Sequence, residues 1–351
     1  MSKFDSSSLL SSTVDSDILD LIDCFHGIAL SMRAETSQAI FDYLTPVCIR
    51  CIDLLSSRKD SRSIVDGVLG FFQSLCKKLS SFFESDQLSL LYEIVMQLIM
   101  AYSKNHICKY RTRGADEEDQ ISDLICFIEI LDSAVSTGPI FGNLAEPSSG
   151  LSGGTVAIRG LQELLPLMNG SVMSFPPVCK AFYRFMLRIS EEIPDCFKNM
   201  DLSLFDLIIE CLRKAIASEY GQEIAYLSLQ TIDELASNAS KWLNKELTAK
   251  LTSLVEDTFL ACLVLSSDEQ LLVRGTFALF GLICLDQAVF GAYVQSLLNR
   301  QANRPIREML EHAFSALLPS PPSSATRGEK RAFSRRFESF VEAVRGQLVL
   351  D

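Results

Sequence analysis

The chain has 351 residues, of which 48% are apolar and 22% charged, so disorder over most of its length is excluded and a sizeable core can form. Its 44 acidic and 32 basic residues give a net charge of −12, which repels phosphate backbones and argues against direct nucleic-acid binding. Because tight hairpins and many short loops need Gly and Pro, the counts of 17 Gly and 11 Pro favour helices.

Apolar residues recur at helical spacing along most of the chain. In the segment that begins near 202, for example, apolar residues stand at 204/205, 208, 211/212 and 215/216. No alternating run of β-branched residues competes with this pattern. The periodicity predicts helices at about 15–32, 35–56, 61–83, 87–104, 118–137, 155–169, 176–193, 202–218, 222–238, 246–265, 269–285, 288–301, 304–318 and 329–348.

The later helices are spaced as a structural repeat. Helices that begin near 202, 246 and 288 are roughly 44 and 42 residues apart, within the range of HEAT and armadillo repeats. In such repeats each helix pair buries its apolar face on the next pair. We therefore predict an all-α fold, a right-handed α-solenoid of HEAT-like helical hairpins that forms an armadillo-like superhelix, a curved rod.

Interruptions of the helical pattern predict the organisation of the chain. Residues 138–154 are rich in Gly, Pro and Ser, and Pro46 and Pro166 predict kinks or restarts in their helices. The first helix has apolar positions that nothing before it covers, which favours the distal part of a longer solenoid. The predicted segments are a disordered N-terminus over 1–14, HEAT-like repeats over 15–137, a loop over 138–154, HEAT-like repeats over 155–318, a linker over 319–327 and a C-terminal capping helix over 328–351.

The cysteines and the N-terminal residues indicate the type of cellular compartment in which the protein folds. The chain has 11 cysteines without the spacing of a disulfide framework, which indicates a reducing compartment. Residues 1–15 lack a cationic stretch followed by an apolar one, so no signal peptide is predicted. The longest apolar runs, Phe259 to Leu265 and Thr276 to Leu285, fall short of the roughly 18 residues of a membrane helix, which predicts no membrane insertion.

Residues that could bind a metal are few and scattered. His26, His106 and His312 form no HExxH zinc helix, and each is interpreted as a surface or packing residue. Cys48 and Cys51 form one C-x-x-C motif, and the sequence has no second one. Two packed thiols on one helix face are therefore favoured over a redox pair or half of a zinc site.

Motifs of catalysis and phosphate binding are equally weak. Gly150, Ser152 and Gly154 spell G-x-S-x-G, but no predicted strand precedes them, so a loop is favoured over a nucleophile elbow. The sequence contains no P-loop and no G-x-G-x-x-G motif. We therefore predict no catalytic, cofactor-binding or metal-binding residues, and a protein that is not an enzyme.

Two charged segments have a plain interpretation. Asp116 to Asp119 open a predicted helix, where carboxylates complement the positive end of the helix dipole, and an acidic patch for a basic partner is the alternative. The basic residues of the last helix are interpreted as its solvated face. They are Arg327, Lys330, Arg331, Arg335 and Arg336.

A surface for protein partners is the default function of a helical-repeat rod. Candidate residues for a cargo or partner surface are charged positions on the second helices of the predicted repeats, with plain solvated surface as the alternative for each. They are Glu223, Asp233, Glu234, Arg274, Arg307 and Glu311.

Several segments carry a family resemblance. They are Ala101 to Arg111 (AYSKNHICKYR), Arg159 to Met168 (RGLQELLPLM), Ser174 to Phe185 (SFPPVCKAFYRF), Glu191 to Ser218 (with IPDCFKNMDLSLFDLI at its centre) and the last helix, Glu329 to Val349. Together they resemble, in order over most of residues 35 to 349, the C-terminal region of the exportins, nuclear export receptors of the importin-β superfamily.

The resemblance implies a HEAT solenoid that binds protein cargo together with the GTP form of the small GTPase Ran. It further implies contact with nuclear pore proteins and shuttling between nucleus and cytoplasm. In this family the repeats that bind Ran most securely lie at the N-terminal end, so we expect this chain to correspond to the C-terminal part and to lack them. A helical-repeat scaffold for protein–protein interaction, without a transport cycle, is the alternative.

Overall fold

The computed structural model describes residues 6–79, 82, 85–107, 121–136, 151–168, 171–239, 244–265, 267–320, 322 and 325–348. Every regular element within these residues is helical, which confirms the predicted all-α fold. The predicted acidic run Asp116 to Asp119 and most of the predicted loop 138–154 lie outside the described residues. The chain divides into two compact units, Met1–Cys196 and Phe197–Asp351.

The first unit contains seven described α-helices. Short 3₁₀ segments join or end several of them, at Ala34–Thr36, Leu165–Leu167, Ser171–Ser174 and Pro194–Asn199, and a π-helical turn follows α4 at Ser103–Ile107. The helices are α1 (Ser6–Leu30), α2 (Ser37–Ser57), α3 (Arg62–Leu79), α4 (Ser85–Tyr102), α5 (Ser122–Val135), α6 (Gly153–Leu164) and α7 (Pro176–Glu192).

Alternate helices of the first unit pack in two layers. In one layer α1 packs on α3, α3 on α5 and α5 on α7, while in the other α2 packs on α4 and α4 on α6. Contacts of α2 with α3 and of α5 with α6 join the layers. This succession of neighbours is consistent with a helical-repeat fold, in which each pair contacts the next.

The core between these layers is apolar and tightly packed. Phe71, Phe127 and Phe182 are fully buried, and the ring of Tyr102 stacks on Phe127 with centroids 4.5 Å apart. Helices α5 and α6 approach closely at Gly160, where a Cβ atom would lie 2.7 Å from a methyl carbon of Leu131. The helices are therefore held by burial of large side chains and by one close backbone approach.

The second unit continues with eight described α-helices. Helix α12 occupies its centre and packs on α9, α10, α11, α13 and α15. The helices are α8 (Leu202–Ile216), α9 (Gln222–Ser237), α10 (Lys245–Thr252), α11 (Val255–Val264), α12 (Glu269–Leu285), α13 (Gln287–Arg300), α14 (Arg304–Leu317) and α15 (Arg327–Val344).

An aromatic cluster joins four helices of the second unit around Phe259 of α11. Its ring lies 5.6 to 6.3 Å, centroid to centroid, from those of five other aromatic residues. Aromatic pairs at these separations add to the stabilisation that burial of the rings provides. The five are Phe290 and Tyr293 of α13, Phe314 of α14, and Phe337 and Phe340 of α15.

Several predicted boundaries are corrected. Helix α1 begins at Ser6, so the disorder predicted over 1–14 does not extend to residues 6–14; the mostly polar composition of these first turns had suggested otherwise. The helix predicted over 246–265 divides into α10 and α11 at a turn at residues 253–254. Helix α15 begins at Arg327 and ends at Val344, inside the predicted capping segment except at its first residue.

The two prolines that were predicted to kink or restart their helices differ: α2 continues through Pro46 without a restart, whereas α6 ends just before Pro166. Pro46 lies inside α2, and Pro166 lies in the 3₁₀ segment Leu165–Leu167 that ends α6. Proline lacks the N–H group that an α-helix would use, so the chain leaves α6 at this point.

No single helix in the described part of the chain is long and apolar enough to cross a membrane. Helices α12 and α13 together reach the required length and composition, but they are bent by 113°. Ten residues of α12 are buried in the second unit, so its apolar surface forms protein core.

Candidate partner-binding surface

Asp233, one of the predicted surface positions, is buried. It lies on α9 with 5% of its surface exposed, and its carboxylate forms an ion pair with Lys330 of α15. The same Lys330 Nζ donates a hydrogen bond to Ser237 Oγ at 2.7 Å. The prediction of a solvated position is therefore wrong for Asp233, because a cation from a distant segment permits its burial.

Lys330 corrects the interpretation of the basic C-terminal residues in the same way. Only 7% of its surface is exposed, so it does not belong to a solvated face. Arg336 is half-buried, and its Nε donates to the backbone carbonyl of Leu317 at 2.9 Å. Arg327, Arg331 and Arg335 are exposed, and for these three the interpretation holds.

Arg274 joins two helices of the second unit. Its Nε donates to the Tyr226 hydroxyl at 2.9 Å, and its guanidinium carbon lies 5.3 Å from the centre of the Tyr226 ring. The pair ties α12 to α9 and leaves Arg274 half-buried. A partner would therefore meet a guanidinium whose orientation is already fixed.

The remaining candidate residues form two separate groups. Glu223 is exposed in the first turn of α9, and Glu234 is half-buried near the end of that helix. On α14, Arg307 Nε donates to Glu311 Oε1 at 3.1 Å, and both side chains are partly exposed. Because α14 packs on α13 and α15, the pair lies apart from the candidates on α9. Of the six residues predicted for a partner surface, Asp233 is therefore excluded because it is buried. Arg274 and the four residues of these two groups are exposed or half-buried.

Charged residues of α8 that the sequence did not single out are paired with the next helices. Arg213 Nε donates to Asp257 of α11 at 2.9 Å, and Lys250 of α10 lies 2.7 Å from Asp206. Partial burial disfavours the charged form of Arg213, but the hydrogen bonds and charges of Asp257 and Glu210 outweigh it and raise its pKa. These pairs orient neighbouring helices, and each contributes little stability at the surface.

The histidines take packing or surface positions. His26 Nε2 lies 2.7 Å from Ser74 Oγ, which links α1 to α3. His106 is buried, with Nε2 3.0 Å from the backbone carbonyl of Leu55, and its ring stacks on Tyr102. His312 is exposed on α14.

The C-x-x-C motif is a pair of packed thiols, as predicted. Cys48 and Cys51 are both buried on one face of α2. Burial raises the pKa of Cys51 to about 11, and burial with the neighbouring thiols of Cys51 and Cys76 raises the pKa of Cys48. Both thiols are therefore protonated near neutral pH, which makes them poor nucleophiles.

Ser152 of the G-x-S-x-G motif is a helix N-cap. Its hydroxyl oxygen accepts a hydrogen bond from the backbone N–H of Thr155 at 3.2 Å and lies 3.0 Å from Thr155 Oγ1. A serine in this role satisfies one of the free N–H groups at the start of α6. Within the described residues, no group of three or more His, Cys, Asp or Glu side chains is placed to hold a metal ion.

Comparison with known proteins adds no family. No family model matches the chain, and no solved structure matches it. The structural part of the functional interpretation therefore depends on the geometry alone: the described residues form an all-helical structure with two-layered packing in the first unit, in which some ion pairs join different helices and others lie within one helix.

Proposed function

We propose that this chain is the C-terminal part of a nuclear export receptor, which binds protein cargo together with Ran in its GTP form and carries it to the cytoplasm. The ordered resemblance to the exportins over most of residues 35 to 349 carries the proposal. The exportin-four type resembles the chain most, because of the residues after Tyr102 and the Gly-rich insertion, and the exportin-seven type is next.

The packing of the first unit supports a solenoid. Its helices contact their second neighbours in two layers, from α1 through α7, as successive hairpins of HEAT-like repeats do. The finer statement, a right-handed armadillo-like superhelix, belongs to this proposal. In such an architecture the exposed charges of successive helices form an extended surface for protein partners.

The exposed charges indicate where cargo would bind. Glu223 and Glu234 on α9 and the Arg307–Glu311 pair on α14 are accessible, while Arg274 is held in place by Tyr226. The resemblance alone supports binding to Ran, binding to nuclear pore proteins, and residence in both nucleus and cytoplasm. The Ran-binding repeats of the family belong to its N-terminal region, so cargo contact is the part of the activity that we assign to these residues.

A capture experiment tests the proposal. The purified chain is immobilised and incubated with nuclear extract that contains Ran locked with GTP, or Ran with GDP as a control. Because cargo contact is what we assign to these residues, we expect at least one nuclear protein to be retained in both samples, and stronger retention with Ran-GTP would indicate export by this chain alone. If the retained proteins are identical in the two samples, autonomous Ran-dependent export is rejected for this chain and a cargo-contacting fragment remains. If no nuclear protein is retained, the proposed cargo contact is rejected.

A variant with a reversed ion pair shows whether α14 contributes. Arg307→Glu with Glu311→Arg keeps the i, i+4 pair and hence the fold, but it reverses the charges that a partner meets. We expect this variant to retain less of the captured nuclear protein than the unmodified chain. Equal retention would remove α14 from the proposed cargo surface.

A further inference from the structure

Helix α1 carries apolar residues on two faces, and α3 covers one of them. Ile22 and Ala29 are buried, and a Cβ atom at Gly67 of α3 would lie 3.2 Å from a methyl carbon of Leu19. His26, whose Nε2 lies within hydrogen-bonding distance of Ser74 Oγ of α3, is on the same side of α1. Contact with α3 thus accounts for one apolar face of α1.

The second face is partly exposed to solvent. We call it the α1 stripe: Val14, Ile18, Leu21, Phe25 and Ile28, spaced alternately by four and three residues. Val14 is 43% exposed and Leu21 is 58% exposed, while the other three are half-buried. Single exposed apolar residues are ordinary, but a continuous row of two exposed and three half-buried apolar residues along one helix indicates a binding surface.

The spacing of the α1 stripe defines the shape of its partner. An alternation of four and three residues keeps side chains on one side of a helix, and it is the pattern by which two helices pack their side chains together. An amphipathic helix with the same spacing would therefore cover the row.

The charge beside the stripe defines the partner further. Asp17 and Asp20 are exposed on the edge of the stripe that faces away from Ile22 and Ala29, and Asp23 is exposed beyond them. No Lys or Arg occurs in Ser6–Leu30. A bound helix would thus place one of its edges against carboxylates, where Lys or Arg is favoured and Asp or Glu is repelled.

We propose that the α1 stripe binds an amphipathic helix of a partner protein that carries Lys or Arg along the edge facing Asp17 and Asp20. A second copy of this chain fits less well, because two α1 helices would bring like charges together and each chain has a net charge of −12. The inference needs only the surface of α1 and no transport activity, and it differs from the expectation of a longer solenoid, in which a preceding repeat would cover this face.

A peptide pair tests the inference directly. Two synthetic peptides of three heptads have Leu at the apolar positions and differ only at the flanking positions, which are Lys in one and Glu in the other. Binding of each labelled peptide to the full chain is measured by fluorescence anisotropy at low and high salt. We expect the Lys peptide to bind at least about tenfold more tightly than the Glu peptide, with a difference that shrinks as salt rises.

Two leucines of α1 provide a matched pair of variants. Leu21 lies at the middle of the stripe, whereas Leu30 is 49% exposed on the opposite side of the helix. We expect Leu21→Glu to weaken binding of the Lys peptide by about tenfold or more and Leu30→Glu to change it by less than about twofold. Circular dichroism checks that both variants fold, which we expect because neither leucine is buried.

A charge reversal tests the acidic edge. We expect Asp17→Lys with Asp20→Lys to weaken binding of the Lys peptide and to strengthen that of the Glu peptide. Failure of the Lys peptide to bind, or equal losses for Leu21→Glu and Leu30→Glu, would overturn the proposal. A dimer in light scattering that Leu21→Glu dissociates would overturn it in favour of a second copy as the occupant.

Discussion

Helices α1 and α15 are both amphipathic, but the protein covers their apolar residues to different extents. On α15 the rings of Phe333, Phe337 and Phe340 are buried, and even Lys330 is buried through its ion pair with Asp233. On α1 only the face toward α3 is covered, and Leu21 is more than half exposed.

The difference shows that an apolar stripe alone does not determine burial. Helix α15 meets both α12 and α14, whereas the packing of α1 is concentrated on α3. The apolar residues of α15 are therefore part of the core of the second unit, and the open face of α1 is available for contact. Substitutions at the two helices should separate these roles.

The largest effect is expected at the buried ion pair of α15. Lys330→Ala leaves the Asp233 carboxylate buried without its cation, so we expect the free energy of unfolding of the second unit to fall by about 3–5 kcal/mol. Urea denaturation measured by circular dichroism tests this, with hydrogen exchange of α15 as the local measurement.

Two further variants serve as controls for Lys330→Ala. One removes both charges of the buried pair, and the other breaks an exposed ion pair. Lys330→Met with Asp233→Leu removes both charges and should recover most of the stability. Lys250→Ala, which breaks the exposed contact with Asp206, should cost about 1 kcal/mol or less. If Lys330→Ala were no more harmful than Lys250→Ala, the ion pair would not anchor α15.

The covered face of α1 gives the next largest effect. Ile22 is 3% exposed, so Ile22→Ala should remove about 2–3 kcal/mol from the free energy of unfolding through lost burial and a cavity beside α3. Hydrogen exchange of α1 and α3 measures it, and Ile22→Val is the conservative control with a smaller loss. An unchanged stability would mean that α1 does not contribute to the first unit.

A smaller effect is expected at the start of α15. Thr326 Oγ1 accepts the Glu329 N–H at 3.3 Å, and the Glu329 carboxylate accepts the Thr326 N–H at 3.3 Å, so the two residues form a capping box. Thr326→Ala should cost about 1 kcal/mol, and Thr326→Ser should restore most of it. Thermal unfolding compares the three proteins. Equal midpoints would show that α15 is held by its packing alone.

The smallest effect is expected at the open face of α1. Leu21→Ala should change the free energy of unfolding by less than about 0.5 kcal/mol, because Leu21 is already largely in contact with water. The hydrogen-exchange measurement used for Ile22→Ala is repeated for Leu21→Ala, so that two adjacent positions of one helix are compared. A loss as large as that of Ile22→Ala would show that the α1 stripe is covered within the protein.

The helices could be predicted from the sequence because their apolar spacing is strong. The break between α10 and α11 was missed, since Leu247, Leu251 and Val255 continue a helical rhythm across a turn that contains neither Gly nor Pro. The extent of α1 was missed because polar residues dominate its first turns.

The candidate surface was harder to predict, because burial of a charge depends on a partner distant in sequence. Lys330 and Asp233 are 97 residues apart, and a single sequence does not show which cation meets which carboxylate. A signal was nevertheless present. Lys330 stands at helical spacing from Phe333 and Phe337, and Asp233 lies four residues after Leu229, so both charges fall on faces that are otherwise buried.

The pairing of Lys330 with Asp233 also has a consequence for synthesis of the chain. A ribosome releases α9 and α12 before α15. Asp233 therefore remains without its cation until Lys330, 97 residues later, has been synthesised, and the surface of α12 around Phe280 stays uncovered until Phe333 has been added. Docking of α15 must then close a long loop, which makes it a late step in folding. Nascent chains halted before residue 327 would expose this surface and become substrates for chaperones.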